Sequence, residues 1–346
     1  MRLLLWLGLA LGAGCVGHDA RMPARAGFAL EVRPAPQHVP RDPTALQIRW
    51  LGTTCYALEL GGLCVLTDPF VSTGTVYPWS FGSQPDEVAR RLAPLDPAPQ
   101  ALFVTEGHVD HALDAHAALG LWPQAQLYGS RTVRHLLAGF GLDARAHDVA
   151  AVTSGELLEP EAGRFAVRWR AFPSAHTPHF ESGWTFLGGV LDEPLDEPPG
   201  FWDYQAGEAT NYLFSFTGGA RPLNVFLLNA PHSRRYPLPP ADTPIDVLLL
   251  LTPSTATVEG DYPAEWIERL QPRVVILAHF DDFLARRDYD RDPPVEVLYE
   301  ADVLGVLLEA QRAAERYPGC ERIVVPALSD PTDRRANTVV RIALPE

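Results

Sequence analysis

Several hydrophobic runs in this sequence end in side chains that can bind a metal, and this repeated arrangement limits the folds open to the chain. In ALFVTEGHVDHALD, residues 101–114, an apolar run is followed by Glu106, His108, Asp110 and His111. Three later runs end similarly: SAHTPH carries His176 and His179, LLNAPH carries Asn229 and His232, and ILAHFDDF carries His279. Imidazole and carboxylate groups are typical ligands of divalent transition metals. Because side chains at strand ends that share one sheet edge meet in one pocket, the pattern predicts a metal centre.

Strand-like and helix-like segments alternate along the chain, which predicts an α/β fold. Amphipathic stretches such as PDEVARRL, residues 85–92, and a long helical pattern near residues 294–317 are interleaved with apolar runs. The runs expected to form strands include ALFVT, AQLYG, RFAVRWRAF, NYLFSF, NVFLLN, DVLLLL, RVVILAHF, RIVVP and TVVRIAL. This order favours two sheets packed together beneath outer helices. The irregular segment 173–209, rich in Pro, Gly, Trp and acidic residues, is typical of a loop that covers a site.

The stretch LQIRWLGTTCYALELGGLCVLTDPF predicts two strands about a Gly-Gly turn. A tight hairpin at that turn would pair Leu60 with Leu63. Cys55 and Cys64 would then lie too far apart along the hairpin for a disulfide bond. The sequence therefore indicates no disulfide framework.

Charge and composition exclude several classes of function. The 346-residue chain is 47% hydrophobic, which is enough for a sizeable core, and its formal net charge of −15 opposes binding to nucleic acid. All 28 residues counted as Lys or Arg are Arg. The absence of lysine from the sequence excludes Schiff-base catalysis through a lysine and a P-loop lysine.

The N-terminus predicts export. Residues 1–15, MRLLLWLGLALGAGC, contain Arg2, an apolar stretch too short to span a bilayer, and small residues before Cys15. The small residues resemble a bacterial lipobox, in which the cysteine is lipidated; the alternative is a plain cleaved signal peptide. Residues 16–44 are expected to form a tether. We therefore expect a location in the bacterial periplasm or at the outer membrane, with contact to the membrane only through an N-terminal lipid anchor.

The order of these motifs resembles the metallo-beta-lactamase fold superfamily. The resemblance rests on WLGTTCYALELGGLCVLTDPF, TEGHVDH, the downstream His loop and the His after the last hydrophobic run, and it covers roughly residues 46–345. Within the superfamily, the chain resembles the branch of ascorbate-phosphate lactonases and the N-acyl-phosphatidylethanolamine phospholipase D. YGSRTVRHLL and AHFDDF are similar to bacterial envelope members of that branch. The resemblance implies an αββα sandwich formed by a single domain over residues 45–346.

The resemblance also implies two groups of metal ligands. They are Glu106, His108 and His176, with His179 as the alternative to His176, and Asp110, His111 and His279. Asp68 matches a buried acidic residue that orients ligands without binding the metal. Two positions depart from the family pattern. Glu106 stands where the family has its first His, and Asn229 stands where the family has an Asp that bridges two metals.

These two departures leave the formal charge of the ligand set unchanged, because one position gains a carboxylate and the other loses one. Two His and one carboxylate in each group suit one or two divalent metals, zinc first, with manganese or iron as alternatives. The neutral amide of Asn229 is a poor bridge between two cations. The departures are therefore interpreted either as a compensated site or as a decayed site on an intact fold.

The resulting hypothesis is a metal-dependent hydrolase in which water activated by the metal attacks an ester, lactone, amide or phosphodiester. Asp110 would position the nucleophile, and His232 or His179 would protonate the leaving group. The substrate is expected to be a small molecule or lipid-like, and the sequence predicts no particular oligomeric state. The rival hypothesis is a non-catalytic envelope protein with a degenerate metal site. A di-iron oxidoreductase is disfavoured because the sequence carries no flavin-binding module.

Overall fold

The computed structural model describes most of the chain from residue 44 onward. The described residues are 44–160, 163–179, 183–229, 236–252, 258, 261–281, 283–284, 303–317, 319–326 and 339–345. The predicted signal sequence, all but the last residue of the predicted tether, and His232 lie outside them. Within the described residues, no helix has the length and apolar character needed to cross a membrane.

Fourteen described strands form two seven-stranded sheets. The strands are β1 (Ala45–Gly52), β2 (Cys55–Leu60), β3 (Leu63–Thr67), β4 (Ala101–Phe103), β5 (Gln126–Gly129), β6 (Ala146–Asp148), β7 (Ser154–Leu158), β8 (Ala166–Pro173), β9 (Thr210–Thr217), β10 (Leu223–Leu228), β11 (Val247–Leu251), β12 (Val274–Ala278), β13 (Arg322–Val324) and β14 (Val339–Ala343). The first sheet has the order β14-β1-β2-β3-β4-β5-β6, and the second has the order β13-β12-β11-β10-β9-β8-β7.

Helices cover the outer faces of the sheets. They are α1 (Pro85–Leu92), α2 (Val109–Ala112), α3 (Ala115–Leu121), α4 (Arg131–Ala138), α5 (Ala264–Leu270) and α6 (Val303–Arg316), with 3-10 turns at Asp143–Arg145 and Phe201–Asp203. The apolar residues of α1, α3 and α4 pack in one core with outward-facing residues of the first sheet. Those of α5 and α6 pack with the second sheet. These layers confirm the predicted αββα sandwich.

Alternation along the strands separates the two faces of the first sheet. In β1, Leu46, Ile48 and Trp50 point into the core between the sheets. Ala57 of β2 and Leu66 of β3 point to the core beneath the helices. Successive side chains of a strand project to opposite faces, so a strand that is buried on both faces is apolar throughout. This explains why most positions in β2 and β3 are hydrophobic.

Phe103, the last residue of β4, is packed in an aromatic cluster between the sheets. Its ring centroid lies 5.2 Å from Tyr128, 5.3 Å from Trp169, 5.3 Å from Tyr212 and 4.9 Å from Phe214. The contact with Tyr128 is stacked and the other three are edge-to-face, and such contacts add to the free energy gained by burying the rings. The cluster thus fixes the end of β4, from which the TEGHVDH motif continues.

Parallel strands bring the predicted site residues to one edge of the sandwich. β3 and β4 are parallel, and so are β10, β11 and β12. Asp68 and Glu106 follow β3 and β4, while Asn229 and His279 follow β10 and β12. His176 follows β8, which has the same direction as β10 because each is antiparallel to β9.

The predicted hairpin is confirmed, since β2 and β3 are antiparallel with Leu60 opposite Leu63. Cys64 lies opposite Glu59, and Cys55 and Cys64 are both buried free thiols. The number of strands in this stretch was predicted wrongly, because the chain also reverses between β1 and β2 and forms three strands. That reversal uses a left-handed backbone at Thr53, with φ of 44°. A β-branched residue rarely adopts this conformation, so the only turn signal in the sequence at this reversal is the preceding Gly52, with φ of 119°.

Other element boundaries also differ from the prediction. The short strands β6 and β7 were not predicted. β7 is an edge strand with partly exposed residues throughout, so it lacks the apolar run that marks a buried strand. The predicted helix near residues 294–317 corresponds to α6, and the part of it before residue 303 lies outside the described residues.

Asp114, at the start of α3, belongs to neither candidate ligand group, so its substitution tests the stability of the fold alone. Its buried carboxylate accepts hydrogen bonds from the backbone N–H groups of Val71 at 2.7 Å and Ser72 at 2.8 Å. It also accepts bonds from the hydroxyls of Ser72 at 2.7 Å and Ser83 at 2.5 Å. Asp114→Ala leaves these donors unpaired, so we expect the free energy of unfolding to fall by about 3 kcal/mol.

Denaturant unfolding monitored by circular dichroism measures this change. Asp143→Ala is the matched control, because Asp143 is exposed, and its free energy of unfolding should stay within about 0.5 kcal/mol of the wild-type value. Equal stability of the two variants would contradict the structural role given to Asp114.

Candidate metal centre

The first group of candidate ligands surrounds the Glu106 carboxylate. Glu106 Oε1 lies 3.4 Å from His108 Nδ1 and 3.4 Å from His176 Nε2. Glu106 comes three residues after the end of β4, His108 immediately precedes α2, and His176 lies in the loop after β8. The ligand atoms of the three residues lie within 4.8 Å of one another. They are the three residues that the family resemblance assigned to one site.

The second group consists of Asp110, His111 and His279, as the sequence also predicted. Asp110 Oδ2 lies 3.0 Å from His279 Nε2 and 3.6 Å from His111 Nε2, and the two Nε2 atoms are 3.2 Å apart. Ligand atoms about 2.0–2.1 Å from a tetrahedral zinc ion are separated by roughly 3.3 Å. The observed separations are therefore compatible with binding of one metal ion by these three side chains.

Asp68 orients the ring of His111. Asp68 Oδ2 lies 3.0 Å from His111 Nδ1, and the Asp68 carboxylate accepts hydrogen bonds from the Thr105 N–H and hydroxyl, both at 2.7 Å. Thr54 Oγ1 and Thr105 Oγ1 are 3.1 Å and 3.2 Å from the same Nδ1 atom. A proton on Nδ1 satisfies the carboxylate and leaves Nε2 free to bind a metal. This geometry places Asp68 where the resemblance implied an orienting acid.

The loop after β8 orients the ring of His108 so that Nδ1, rather than Nε2, faces its ligand group. His108 Nε2 donates to the backbone carbonyls of Phe186 at 3.0 Å and Leu187 at 3.2 Å, so Nδ1 faces Glu106. The same loop is held against the motif by a bond from Gly107 N–H to the Ala206 carbonyl at 2.8 Å. A Cβ atom at Gly107 would lie 2.3 Å from the Gln205 carbonyl oxygen. Glycine at position 107 therefore allows the loop to cover the site, as predicted for segment 173–209.

Unpaired buried atoms support a bound cation. Glu106 Oε2 and both side-chain polar atoms of Asn229 are buried without a hydrogen-bond partner among the described residues. Buried polar groups are normally paired, because burial of an unpaired group costs free energy. Two His and one carboxylate in each group, with a further uncommitted oxygen on Glu106, form a donor set that suits zinc, manganese or iron. The residues present thus fit a divalent metal.

Neighbouring imidazoles lower the pKa of the carboxylate in each ligand group. Burial raises the pKa of Glu106, but the nearby His176, His111 and His108 outweigh burial and hold it well below its usual range. Burial and the imidazoles act in the same way on Asp110, whose pKa is also lowered. Both carboxylates are therefore anionic at neutral pH, as metal binding requires.

The histidines differ from one another in protonation. Burial lowers the pKa of His111, yet Asp110, Glu106 and Asp68 together raise it to about 10. Burial lowers the pKa of His176 to about 3. Without a cation, His111 therefore carries a proton between the carboxylates, and a bound metal would displace it.

His176 rather than His179 faces Glu106. The ring of His179 lies 4.7 Å from that of His176 and 5.7 Å from that of His108, measured between centroids. His179 Nδ1 accepts a hydrogen bond from the Phe186 N–H at 3.1 Å. The geometry favours His176 as the ligand and His179 as its neighbour.

Asn229 is buried at the end of β10, where its N–H donates to Asn211 Oδ1 at 2.9 Å. The second catalytic candidate, His232, lies outside the described residues. The sequence did not predict the roles of Thr54 or of the Phe186 and Leu187 carbonyls. Thr105 could have been suspected, because it opens the TEGHVDH motif.

Comparisons with known proteins give one family match. Residues 47–181 match the model of a beta-lactamase superfamily domain. No curated protein matches the sequence. This match and the two-sheet topology show the metallo-beta-lactamase fold.

Several solved structures are similar to this chain at low sequence identity. A metallo hydrolase of the archaeon Ignicoccus hospitalis has 15% identity and a TM-score of 0.49, covering 87% of this chain and 100% of that chain. The diiron beta-hydroxylase CmlA of Streptomyces venezuelae has 12% identity and a TM-score of 0.46, covering 88% of this chain and 55% of that chain. An isothiocyanate hydrolase from bacteria of the Delia radicum gut has 11% identity and a TM-score of 0.45, covering 86% and 100%.

Proposed function

We propose that this chain is a metal-dependent hydrolase that acts on an ester, lactone, amide or phosphodiester of a small-molecule or lipid-like substrate. The observation that carries the proposal is the convergence of two groups of ligand atoms, each with two imidazoles and one carboxylate. The unpaired buried atoms of Glu106 and Asn229 support it further. One or two divalent metals would be held there, with zinc preferred and manganese or iron as alternatives.

A divalent metal held by these residues would supply a Lewis acid that polarises a carbonyl or phosphoryl oxygen and makes water nucleophilic near neutral pH. Glu106 and Asp110 contribute the negative charge that retains the metal. Asp68, through His111 Nδ1, fixes the ring that presents Nε2. The Phe186 and Leu187 carbonyls accept hydrogen bonds from His108 Nε2 and so fix the ring that presents Nδ1.

The substrate would approach from the side on which the ligands are partly exposed. The side chains of His176, Asp110 and His279 are 19%, 15% and 13% exposed, whereas that of Glu106 is 3% exposed. Asp110 therefore stands between the buried part of the centre and solvent, which suits it to position the nucleophile. His179 accepts a hydrogen bond at Nδ1, so its proton lies on Nε2, where it can donate a hydrogen bond to a substrate oxygen. Burial lowers the pKa of His179 to about 4, so its ring is uncharged at neutral pH and is a poor proton donor to a leaving group. We therefore retain His232 as the proposed proton donor.

Metal content and hydrolysis test this proposal together. Protein purified without chelators should contain at least one transition metal per chain and should hydrolyse a generic phosphodiester or a generic lactone. Removal of the metal should abolish turnover, and adding it back should restore turnover. Protein that is metal-free and inactive would instead support the non-catalytic envelope protein.

We also propose that the protein is exported and anchored through a lipid on Cys15. The apolar N-terminal stretch and the small residues before Cys15 support this proposal. Fractionation of cells that express the wild type and the Cys15→Ser variant tests it, because only the wild type should sediment with membranes. A soluble wild-type protein that begins at another residue would contradict lipidation.

A further inference from the structure

We propose that Glu106 bridges two metal ions, one in each ligand group, and so takes the place of the bridging carboxylate that Asn229 lacks. This inference rests on the proposed function. Its basis is the position of a single atom. Glu106 Oε1 lies 3.4 Å from His108 Nδ1 and 3.4 Å from His176 Nε2 in its own group. The same atom lies 3.1 Å from His111 Nε2 in the other group.

The chemistry of a carboxylate permits this shared role. A carboxylate has two oxygens with several lone pairs, so it can bind two cations at once. Oε1 of Glu106 faces both groups, and Oε2 is buried with no hydrogen-bond partner among the described residues. Each oxygen is thus available to a cation. A histidine at this position would offer only one nitrogen to one metal.

The backbone around Glu106 is held on both sides, which keeps the carboxylate between the groups. Thr105 N–H donates to Asp68 Oδ1 at 2.7 Å. Gly107 N–H donates to the Ala206 carbonyl at 2.8 Å. Asp68 also contacts His111 of the second group, while the loop that contains Ala206 also provides the carbonyls that orient His108 of the first group. Glu106 is therefore fixed by elements that belong to both halves of the centre.

Asp110 provides a matched control for this role. It is also a carboxylate ligand candidate, but its Oδ2 atom approaches His111 and His279 of one group, at 3.6 Å and 3.0 Å. If Glu106 is a bridge, Glu106→Gln weakens metal binding in both groups. Asp110→Asn weakens it in the second group and leaves a metal in the first. Each substitution replaces one carboxylate oxygen by an amide nitrogen of nearly equal size.

Metal titration and electron paramagnetic resonance would be carried out on Mn(II)-loaded protein. Wild type should bind two ions whose spins are exchange-coupled. Glu106→Gln should bind both ions at least about 100-fold more weakly, whereas Asp110→Asn should retain one tightly bound ion. The wild-type spectrum needs no variant, so it decides the question even if Glu106→Gln folds poorly.

The outcomes separate the bridge from the proposed function. Two bound ions without exchange coupling, or a Glu106→Gln variant that loses only one ion, would overturn the bridge and leave the metal-dependent hydrolase intact. A wild-type protein that binds one ion and is hydrolytically active would also overturn the bridge and leave the metal-dependent hydrolase intact. Wild type that binds no metal and lacks activity would overturn both.

Discussion

Replacing His111 and His279 together by alanine is expected to empty the second ligand group and to lower hydrolytic turnover on the order of 10³-fold, about 4 kcal/mol in activation free energy. The two Nε2 atoms lie 3.2 Å apart and both face Asp110 Oδ2. Their loss leaves no imidazole in that group, and Asp110 with the proposed contact from Glu106 provides too few ligands for a divalent transition metal. Elemental analysis and steady-state turnover measure the two effects.

A double variant of His116 and His147 is the matched control. His116 stacks on Phe140, and His147 Nε2 contacts Gln126, so neither histidine belongs to the two ligand groups. Alanine at both positions should leave metal content and turnover close to wild type. If the His111/His279 variant also kept its full metal content, the ligands assigned to the second group would be wrong.

The candidate ligands could be picked out from the sequence because each follows a hydrophobic run, and the structure brings them together in two groups. The strands β4, β8 and β12 are recognisable in the sequence as runs of apolar residues. The change from apolar to polar residues marks the end of each run. β8 and β12 have the same direction in the second sheet, and the packing of the two sheets brings their ends beside the end of β4 in the first. Grouping the residues into two sites required the family resemblance, because strand order cannot be derived from hydrophobic periodicity.

The orientation of the ligands could not be predicted from the sequence. His108 is oriented by the carbonyls of residues 186 and 187, which lie 78 and 79 positions further along the chain. Backbone carbonyls have no sequence signature, since every residue carries one. Thr54, which contacts His111 Nδ1, follows a reversal at Thr53 with a left-handed backbone. The single glycine at this reversal, Gly52, is a weak turn signal because two threonines follow it.

Variants at Glu106 and Asn229, the two positions that depart from the family pattern, test whether this centre has changed function or decayed. Glu106→His alone should weaken metal binding, because Asp110 would then be the only anionic ligand and the contact from Oε1 to both groups would be lost. Asn229→Asp alone adds a third carboxylate to a set that is already balanced. We expect it to change the number or identity of bound metals without improving hydrolysis.

The double variant, Glu106→His with Asn229→Asp, restores the family pattern, and its metal content should approach two ions per chain. Its effect should differ from the sum of the single effects by roughly 1–3 kcal/mol in metal-binding free energy, because residues that share ligands couple strongly. Metal stoichiometry and turnover of a generic phosphodiester and a generic lactone would be measured for wild type and the three variants. A compensated centre requires that each single change is harmful or neutral and that the second change rescues the first. A decayed centre has no such dependence: all four proteins would be metal-free and inactive, and the fold would then serve binding or scaffolding rather than catalysis.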